Sequence, residues 1–183
     1  SFEPQPFLAN LVSVNLLLNG LDQRVKVLTE ALGAEHGEVF FPKLNYDVPN
    51  NFGGIGMQVT SETTIDMKRA PLVMLDDYLA KAIMPVSFCK IDVEGFESDV
   101  LLGMRAMLSL HHPILLVEND RRQKAEALIE LLQRLHYDPY WVFIRLFNSR
   151  NFNKRTDNIW GGDIVSLDML ALPTGTPPPT GVP

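Results

Sequence analysis

One stretch of the sequence decides the fold, and it reads Val86-Ser87-Phe88-Cys89-Lys90-Ile91-Asp92-Val93-Glu94-Gly95. Its apolar first part, residues 86–93, is typical of a buried β-strand. Gly95 then allows a tight turn and a close approach by a ligand. The turn is followed by a predicted helix whose apolar face consists of Val100, Met104, Met107 and Leu108. A strand that passes through an acidic turn into a helix indicates an α/β protein.

The alternation of strands and helices continues on both sides of this stretch. Further helices are predicted over residues 7–19, 75–84 and 121–135, and further strands over 25–28, 114–117, 140–147 and 164–172. This alternation predicts a mainly parallel sheet with right-handed crossovers and helices on both faces. No helical pattern separates the last two strands, so we expect them to form an antiparallel hairpin at one edge of the sheet.

Two segments differ in composition from the rest of the chain. Residues 35–64 hold two short strand patterns, 39–41 and 55–59, around an Asn/Pro/Gly-rich segment from Pro42 to Gly54. We expect a β excursion or flexible lid there, and the segment is also expected to help shape a ligand pocket. Residues 174–183 are rich in Pro, Gly and Thr and are expected to be disordered. One domain over residues 1–173 is therefore predicted.

The bulk composition argues against several classes of partner. A formal net charge of -6 over 183 residues disfavours nucleic acid, which needs a basic surface. No apolar run reaches the length of a membrane span, and no signal-peptide pattern opens the chain. The single cysteine, Cys89, lies in an apolar run and is compatible with a reducing compartment. The expected location is the cytoplasm, with no nucleic acid and no membrane as partner. The basic residues cluster in a predicted surface loop, at Arg145, Arg150, Lys154 and Arg155.

Carboxylates lie at the carboxyl ends of four strands, where ligands bind in open α/β sheets. The first of these strands is the one that Glu3 ends at the start of the chain, and the others are the predicted strands 25–28, 86–93 and 114–117. The carboxylates are Glu3, Glu30, the pair Asp92 and Glu94, and the pair Glu118 and Asp120. Glu3 could accept both hydroxyls of an adenosine ribose in charge-assisted hydrogen bonds, or could instead serve the N-terminus of the following helix.

Asp92 and Glu94 are two residues apart, which places both on the same face of an extended strand. Paired carboxylates could orient a substrate hydroxyl, hold a divalent metal, or act as acid and base. Alternatively, Glu94 caps the next helix and Asp92 pairs with Lys90, which lies on the same strand face. Glu118 and Asn119 offer oxygen ligands that could complete a magnesium-like site with Asp92, or Asn119 could cap the following helix.

Together these motifs resemble the FkbM-type family of S-adenosylmethionine-dependent methyltransferases. The most specific match is the block from Lys90 to Glu97, followed by Leu101 and Gly103 in the pattern Leu-x-Gly. Other matching segments are Phe2-Glu3-Pro4, Ala31-Leu32-Gly33, Leu75-Asp76-Asp77-Tyr78-Leu79, Pro113 through Glu118-Asn119, and Ser166 to Pro173. The resemblance spans nearly all of residues 1–173.

The resemblance implies a Rossmann-like methyltransferase fold and transfer of a methyl group to a hydroxyl of a sugar or natural-product-like small molecule. Glu3 and Pro4 would hold the ribose of S-adenosylmethionine, and residues 30–32 (Glu30, Ala31 and Leu32) would line its adenine. Asp92 and Glu94 would face the transferring methyl group and the acceptor, with Asp92 touching the cofactor as well. A divalent metal held by Asp92, Glu118 and Asn119 is a further expectation.

One departure from the family pattern concerns the start of the chain. The family begins with a strand and a glycine-rich turn that holds the methionine part of the cofactor, and no such segment precedes Ser1. A missing βα unit of about 30–40 residues is therefore expected. Truncation of an enzyme is the favoured interpretation, and a non-catalytic binding or interaction module is the alternative. A nicotinamide-dependent oxidoreductase is disfavoured because the chain has no Tyr-x-x-x-Lys pair.

Overall fold

The computed structural model describes residues 1–57, 66–81 and 85–180. The chain divides into two units, of which the first comprises Ser1–Ile83 with Ser98–Met107 and the second Met84–Glu97 with Leu108–Pro183. Within the described ranges, no helix is both long enough and apolar enough to cross a bilayer.

The first unit contains a three-stranded sheet in the order β1-β3-β2. β1 (Ala31–Leu32) runs parallel to β3 (Met67–Val73), and β2 (Gly37–Pro42) pairs antiparallel with β3. Helix α1 (Pro6–Leu18) and two 3₁₀ helices, Phe52–Gly54 and Leu75–Lys81, belong to the same unit. Alternate residues of the longer strands are buried and form one side of a core: Val39, Phe41, Ala70 and Leu72.

The second unit contains a four-stranded sheet in the order β4-β5-β7-β6. β4 (Phe88–Ile91) and β5 (Ile114–Glu118) are parallel, whereas β7 (Val165–Pro173) is antiparallel to both β5 and β6 (Tyr137–Arg145). Helix α4 (Arg122–Arg134) follows β5 and buries Leu128, Leu131 and Leu132, the i, i+3, i+4 positions of its apolar face.

The predicted helix after Gly95 is interrupted and forms α2 (Glu97–Leu102) and α3 (Arg105–His111). Asp76 explains the interruption, because its carboxylate accepts the N–H groups of Ala106 and Met107, each at 2.9 Å. At the break, Gly103 lies so close to β1 that a Cβ on it would come within 1.9 Å of the Gly33 carbonyl oxygen. The Leu-x-Gly pattern therefore has a packing role in the first unit.

The α/β class is confirmed, and the last two strands pair antiparallel as predicted. The mainly parallel sheet is wrong for the described strands, since only two of their five pairings are parallel. The sequence did not predict β3, because the exposed residues Lys68, Arg69 and Pro71 interrupt the apolar pattern of the strand. A strand over residues 25–28 is also wrong, since only a single bridge joins Leu28 to Phe2. Arg24 and Lys26 flank Val25 there, so the run offers too little apolar surface to bury.

The predicted β excursion lies in the three-stranded sheet, through β2, and not in the sheet of the second unit. Residues 55–57 form no strand, and the remainder of the predicted 55–59 strand falls outside the described residues, as do the last three residues of the predicted 75–84 helix. At the carboxyl end, the Thr174 N–H donates to the His136 carbonyl at 2.8 Å. Disorder of residues 174–183 stays a prediction.

Candidate active site

Three carboxylates meet at the carboxyl ends of β4 and β5, and we call Asp92, Glu94 and Glu118 the acidic cluster. Their nearest oxygens all lie within 4.8 Å of one another. The arrangement follows from parallel pairing, because Ile91 is in register with Val117 and both strands end at the same edge. The sequence pairs Asp92 with Glu94 and, separately, groups Asp92 with Glu118 and Asn119, whereas the structure gathers Asp92, Glu94 and Glu118.

The turn after β4 directs Glu94 away from the helix that follows. Glu94 and Gly95 both have positive φ values, 53° and 101°. The Gly95 N–H donates to Glu97 Oε1 at 2.9 Å, and Lys124 Nζ donates to the Gly95 carbonyl at 2.6 Å. The buried carboxylate of Glu97 thus accepts a hydrogen bond from this turn. Glu94 is left to the acidic cluster, and the alternative in which Glu94 acts as a helix cap is wrong.

Two cations partly balance the acidic cluster. Lys90 Nζ pairs with Asp92 Oδ2, as one of the two sequence interpretations expected. Arg121 Nη2 lies 2.5 Å from Glu94 Oε2, while its Nε lies 3.5 Å from Asp120 Oδ1. Burial raises the pKa of Glu94, and the Arg121 guanidinium opposes that rise. Glu94 is therefore an ion-paired carboxylate with a stronger affinity for protons than an exposed glutamate has.

Glu118 is the member of the acidic cluster that is least compensated by hydrogen bonds or cations. Its Oε2 is buried and has no hydrogen-bond partner among the described residues. Burial, followed by the charges of Asp92 and Asp120, raises the pKa of Glu118 to about 8. Across the sheet it is in register with Asp168, which is itself buried with a raised pKa. Near neutral pH, Glu118 therefore retains a proton and can donate a hydrogen bond.

Asn119 is positioned differently from the metal ligand that the sequence suggested. The residue is buried, and its Nδ2 faces the Ala125 carbonyl at 3.5 Å and the Met169 sulfur at 3.3 Å. Its Oδ1 has no hydrogen-bond partner among the described residues. Three carboxylates at this spacing fit a hard cation such as Mg²⁺ or Ca²⁺, with Glu94 in the set beside Asp92 and Glu118.

Glu3 lies at the start of the first unit, in a second group of polar side chains. The Glu3 N–H donates to the Leu28 carbonyl at 3.0 Å, which ties the segment to its parallel neighbour. One carboxylate oxygen, Oε1, accepts the Gln5 N–H at 2.8 Å. Burial raises the pKa of Glu3, and that hydrogen bond opposes the rise. Because Pro4 has no N–H, the Gln5 N–H is the next backbone donor along the chain.

Glu30, Ala31 and Leu32 lie at and just before β1. Tyr78 donates a hydrogen bond to Glu30 Oε2, and its ring packs edge-on against Phe2 with centroids 5.3 Å apart. The Glu30 carboxylate raises the pKa of Tyr78 to about 12, so the phenol stays a neutral donor. Ala31 is 2% exposed, and only Glu30 and Leu32 offer partly accessible side chains.

The sequence reasoning missed the roles of Gln5, Asp76 and Tyr78. All three contact residues at least 25 positions away along the chain, so no local pattern marks them. Glu3, Pro4, Glu30, Ala31 and Leu32 belong to the first unit, and Asp92, Glu94, Glu118 and Asn119 to the second. Within the second unit the structure brings Asp92, Glu94 and Glu118 together, and within the first it joins Phe2, next to Glu3, to Leu28 by a bridge.

An α/β fold with carboxylates gathered at the ends of parallel strands defines a class whose ligands bind at that edge. Within this class, the sequence model of the methyltransferase FkbM domain matches residues 1–146. The chain therefore belongs to the FkbM methyltransferase family, and the resemblance drawn from its motifs is confirmed.

A solved structure supports the same fold. The chain is similar to a methyltransferase FkbM from Methylobacillus flagellatus KT, with a TM-score of 0.52 at 16% sequence identity. The match covers 92% of this chain and 35% of the other, so this chain spans about a third of that protein's length. No curated protein matches the chain.

Proposed function

We propose that this chain is part of an S-adenosylmethionine-dependent methyltransferase that methylates a hydroxyl oxygen of a small, sugar-like or natural-product-like acceptor. Family membership supports the methyl-transfer chemistry. The acidic cluster carries the proposal, because it combines an ion-paired carboxylate of raised pKa, Glu94, with a protonated neighbour, Glu118. Such a pair suits deprotonation of a hydroxyl nucleophile.

The residues of the first unit fit the nucleoside part of the cofactor. Glu3 Oε1 is held by the Gln5 N–H, while Oε2 has no partner among the described residues and is available to ribose hydroxyls. Glu30, oriented by Tyr78, and Leu32 would line the adenine. When bound, S-adenosylmethionine supplies an activated methyl group on a positively charged sulfur. The protein's contribution is to align the reactants. Their translational and rotational entropy is then lost on binding and not in the transfer step, which lowers the activation barrier.

The residues of the second unit fit the acceptor. Glu94 Oε1 has no partner among the described residues, so it can accept the proton of the acceptor hydroxyl while Arg121 holds Oε2. Asp92 would orient that hydroxyl, with Lys90 fixing its carboxylate. Protonated Glu118 would keep the cluster from accumulating a third negative charge and could donate to the acceptor oxygen.

A divalent cation is the alternative source of positive charge at the acidic cluster. The donor set fits one, but Lys90 and Arg121 already neutralise two of its carboxylates. A chelator provides the test: if turnover is lost in EDTA and returns with Mg²⁺ or Mn²⁺, a metal is required. Full activity in EDTA would leave proton transfer to the carboxylates themselves.

The first experiment is calorimetric titration of S-adenosylhomocysteine into the full-length protein that contains this chain, paired with transfer of labelled methyl from S-adenosylmethionine to a panel of sugars and polyols. We expect binding and, with the right acceptor, a labelled ether. Binding without transfer across the panel would favour the non-catalytic module. An absence of heat at high protein concentration would contradict the proposed cofactor.

A further inference from the structure

Gln5 connects Glu3 to a distant segment of the first unit. Its side chain is 5% exposed, and both ends of its amide are hydrogen-bonded. Nε2 donates to the Phe52 carbonyl at 3.0 Å, and Oε1 accepts from the Tyr46 hydroxyl at 3.3 Å. Its backbone N–H donates to Glu3 Oε1 at 2.8 Å. One residue therefore holds the carboxylate on one side and residues 46–52 on the other.

Aromatic packing reinforces this connection. Tyr46 stacks on Phe7 at the start of α1, with centroids 4.0 Å apart and planes 22° from parallel. The Phe52 ring also packs against Tyr46, with centroids 4.9 Å apart. We call Gln5, Phe7, Tyr46 and Phe52 the Gln5 clamp. Lys43, which precedes this segment, bonds to Asp66. Among residues 44–51, Tyr46 alone makes a side-chain hydrogen bond to another part of the described chain.

Opening the clamp would break two hydrogen bonds and a ring contact. If residues 46–52 moved away, the Gln5 amide would lose both partners and Tyr46 would lose its stacking on Phe7, so these contacts favour the closed segment. Burial, followed by the charge of Glu3, raises the pKa of the Tyr46 hydroxyl and keeps it a neutral donor. The state of Glu3 and the position of residues 46–52 are thus physically linked.

We propose that Gln5 is a positioning residue that couples nucleoside binding at Glu3 to closure of residues 46–52. The inference rests on the proposed function and deepens it: the Asn/Pro/Gly-rich segment, expected to shape a ligand pocket, serves the ribose side of the cofactor. A ligand that bonds to Glu3 through its ribose hydroxyls stabilises the closed segment. By linkage, the closed segment strengthens binding to the same degree.

The test uses Gln5→Met, which keeps the length of the side chain, removes both amide hydrogen bonds and leaves the backbone N–H for Glu3. We measure the affinity for S-adenosylhomocysteine by calorimetry and amide hydrogen exchange of residues 43–54 with and without it. In the unaltered protein the ligand should slow exchange over residues 46–52. In Gln5→Met, affinity should fall roughly 5- to 150-fold, the range of a typical coupling energy, and the protection should disappear.

Two further variants separate coupling from damage to the fold. Gln133→Met, on the exposed side of α4, is the matched control and should change neither readout. Tyr46→Phe keeps the aromatic packing and removes one hydrogen bond, so a smaller loss of affinity, roughly 3- to 10-fold, is expected even if Gln5→Met unfolds. In a double-mutant cycle with Glu3→Ala, the Gln5→Met penalty should largely vanish, since the coupled group is gone.

The outcomes are distinct. If the unaltered protein binds S-adenosylhomocysteine but both clamp variants bind it equally well, or if residues 46–52 gain no protection, the coupling is wrong and the proposed function stands. If the affinity losses of Gln5→Met and Glu3→Ala simply add in the double mutant, Gln5 has only a structural role. Failure of the unaltered protein to bind S-adenosylhomocysteine would overturn both proposals together.

Discussion

The surroundings of Glu3 and the acidic cluster are both built from carboxylates, yet their charges are balanced in different ways. Around Glu3, neutral donors hold one oxygen of each carboxylate: the Gln5 N–H for Glu3 and the Tyr78 hydroxyl for Glu30. In the acidic cluster, three carboxylates lie within 4.8 Å of one another, with Lys90 and Arg121 as counter-charges, and one buried oxygen of Glu118 has no partner in the part of the chain that the structure describes.

This difference indicates different chemical roles. Carboxylates held by neutral donors keep their orientation and accept hydrogen bonds, which suits recognition of hydroxyl groups on a nucleoside. In the acidic cluster, burial and neighbouring carboxylates raise the pKa of Glu94 and Glu118, which suits proton transfer. Substitutions in the two regions should accordingly affect different steps, and the experiments below compare them.

The largest effect is expected from Glu94→Gln. The amide keeps the shape of the side chain but cannot take the acceptor's proton, so methyl transfer should fall roughly 10²- to 10⁴-fold. Affinity for S-adenosylhomocysteine should stay within about twofold, since Glu94 does not serve the nucleoside. Single-turnover kinetics and calorimetry measure the two quantities, with Glu126→Gln on the exposed side of α4 as control. If Glu94→Gln also weakens S-adenosylhomocysteine binding, the two regions do not have separate roles.

Glu3→Ala should give the reverse pattern. Removing the charge-assisted hydrogen bonds to the ribose should weaken S-adenosylhomocysteine binding roughly 10- to 100-fold. The rate constant for methyl transfer at saturating cofactor should change far less than in Glu94→Gln. Calorimetry on Glu3→Ala and on Glu38→Ala, an exposed glutamate of β2, provides the comparison. Unchanged affinity would remove Glu3 from the ribose site.

The smallest effect concerns stability and pH. The pKa of Glu118 is about 8 in the folded chain against an ordinary value of 4.5, so the folded state binds the extra proton. Its contribution to the free energy of unfolding is therefore complete below about pH 4.5 and is lost as the pH rises through 8. Between pH 5.5 and 8.5 the melting temperature should drop by a few °C more in the unaltered protein than in Glu118→Gln.

Thermal melts across that pH range, with Glu126→Gln as control, check this prediction. If the two proteins show the same pH dependence, Glu118 is an ordinary solvated carboxylate and the acidic cluster loses its distinguishing feature. If Mg²⁺ restores the melting temperature at pH 8.5 in the unaltered protein alone, the cluster prefers a cation to a proton.

The sequence by itself determined the α/β class and the family, and it placed carboxylates at the ends of neighbouring strands, because the ends of parallel strands meet at one edge. It paired Asp92 with Glu94 and grouped Asp92 with Glu118 and Asn119, whereas only the structure gathered Asp92, Glu94 and Glu118. The long helix α4 was equally predictable, since its apolar face repeats within a few residues. In these cases, the signal and the structure it produces are close together along the chain.

Only the tertiary structure decided how those elements are paired and which side chains support the candidate sites. The break between α2 and α3 depends on Asp76, the orientation of Glu30 depends on Tyr78, and the Gln5 clamp joins residues 41 and 47 positions apart. In each contact, the sequence around the polar residue predicts only a helix start or a loop and gives no sign of the distant partner. Such contacts form because a folded interior leaves few buried polar groups without a partner, and which partner is within reach depends on the whole fold.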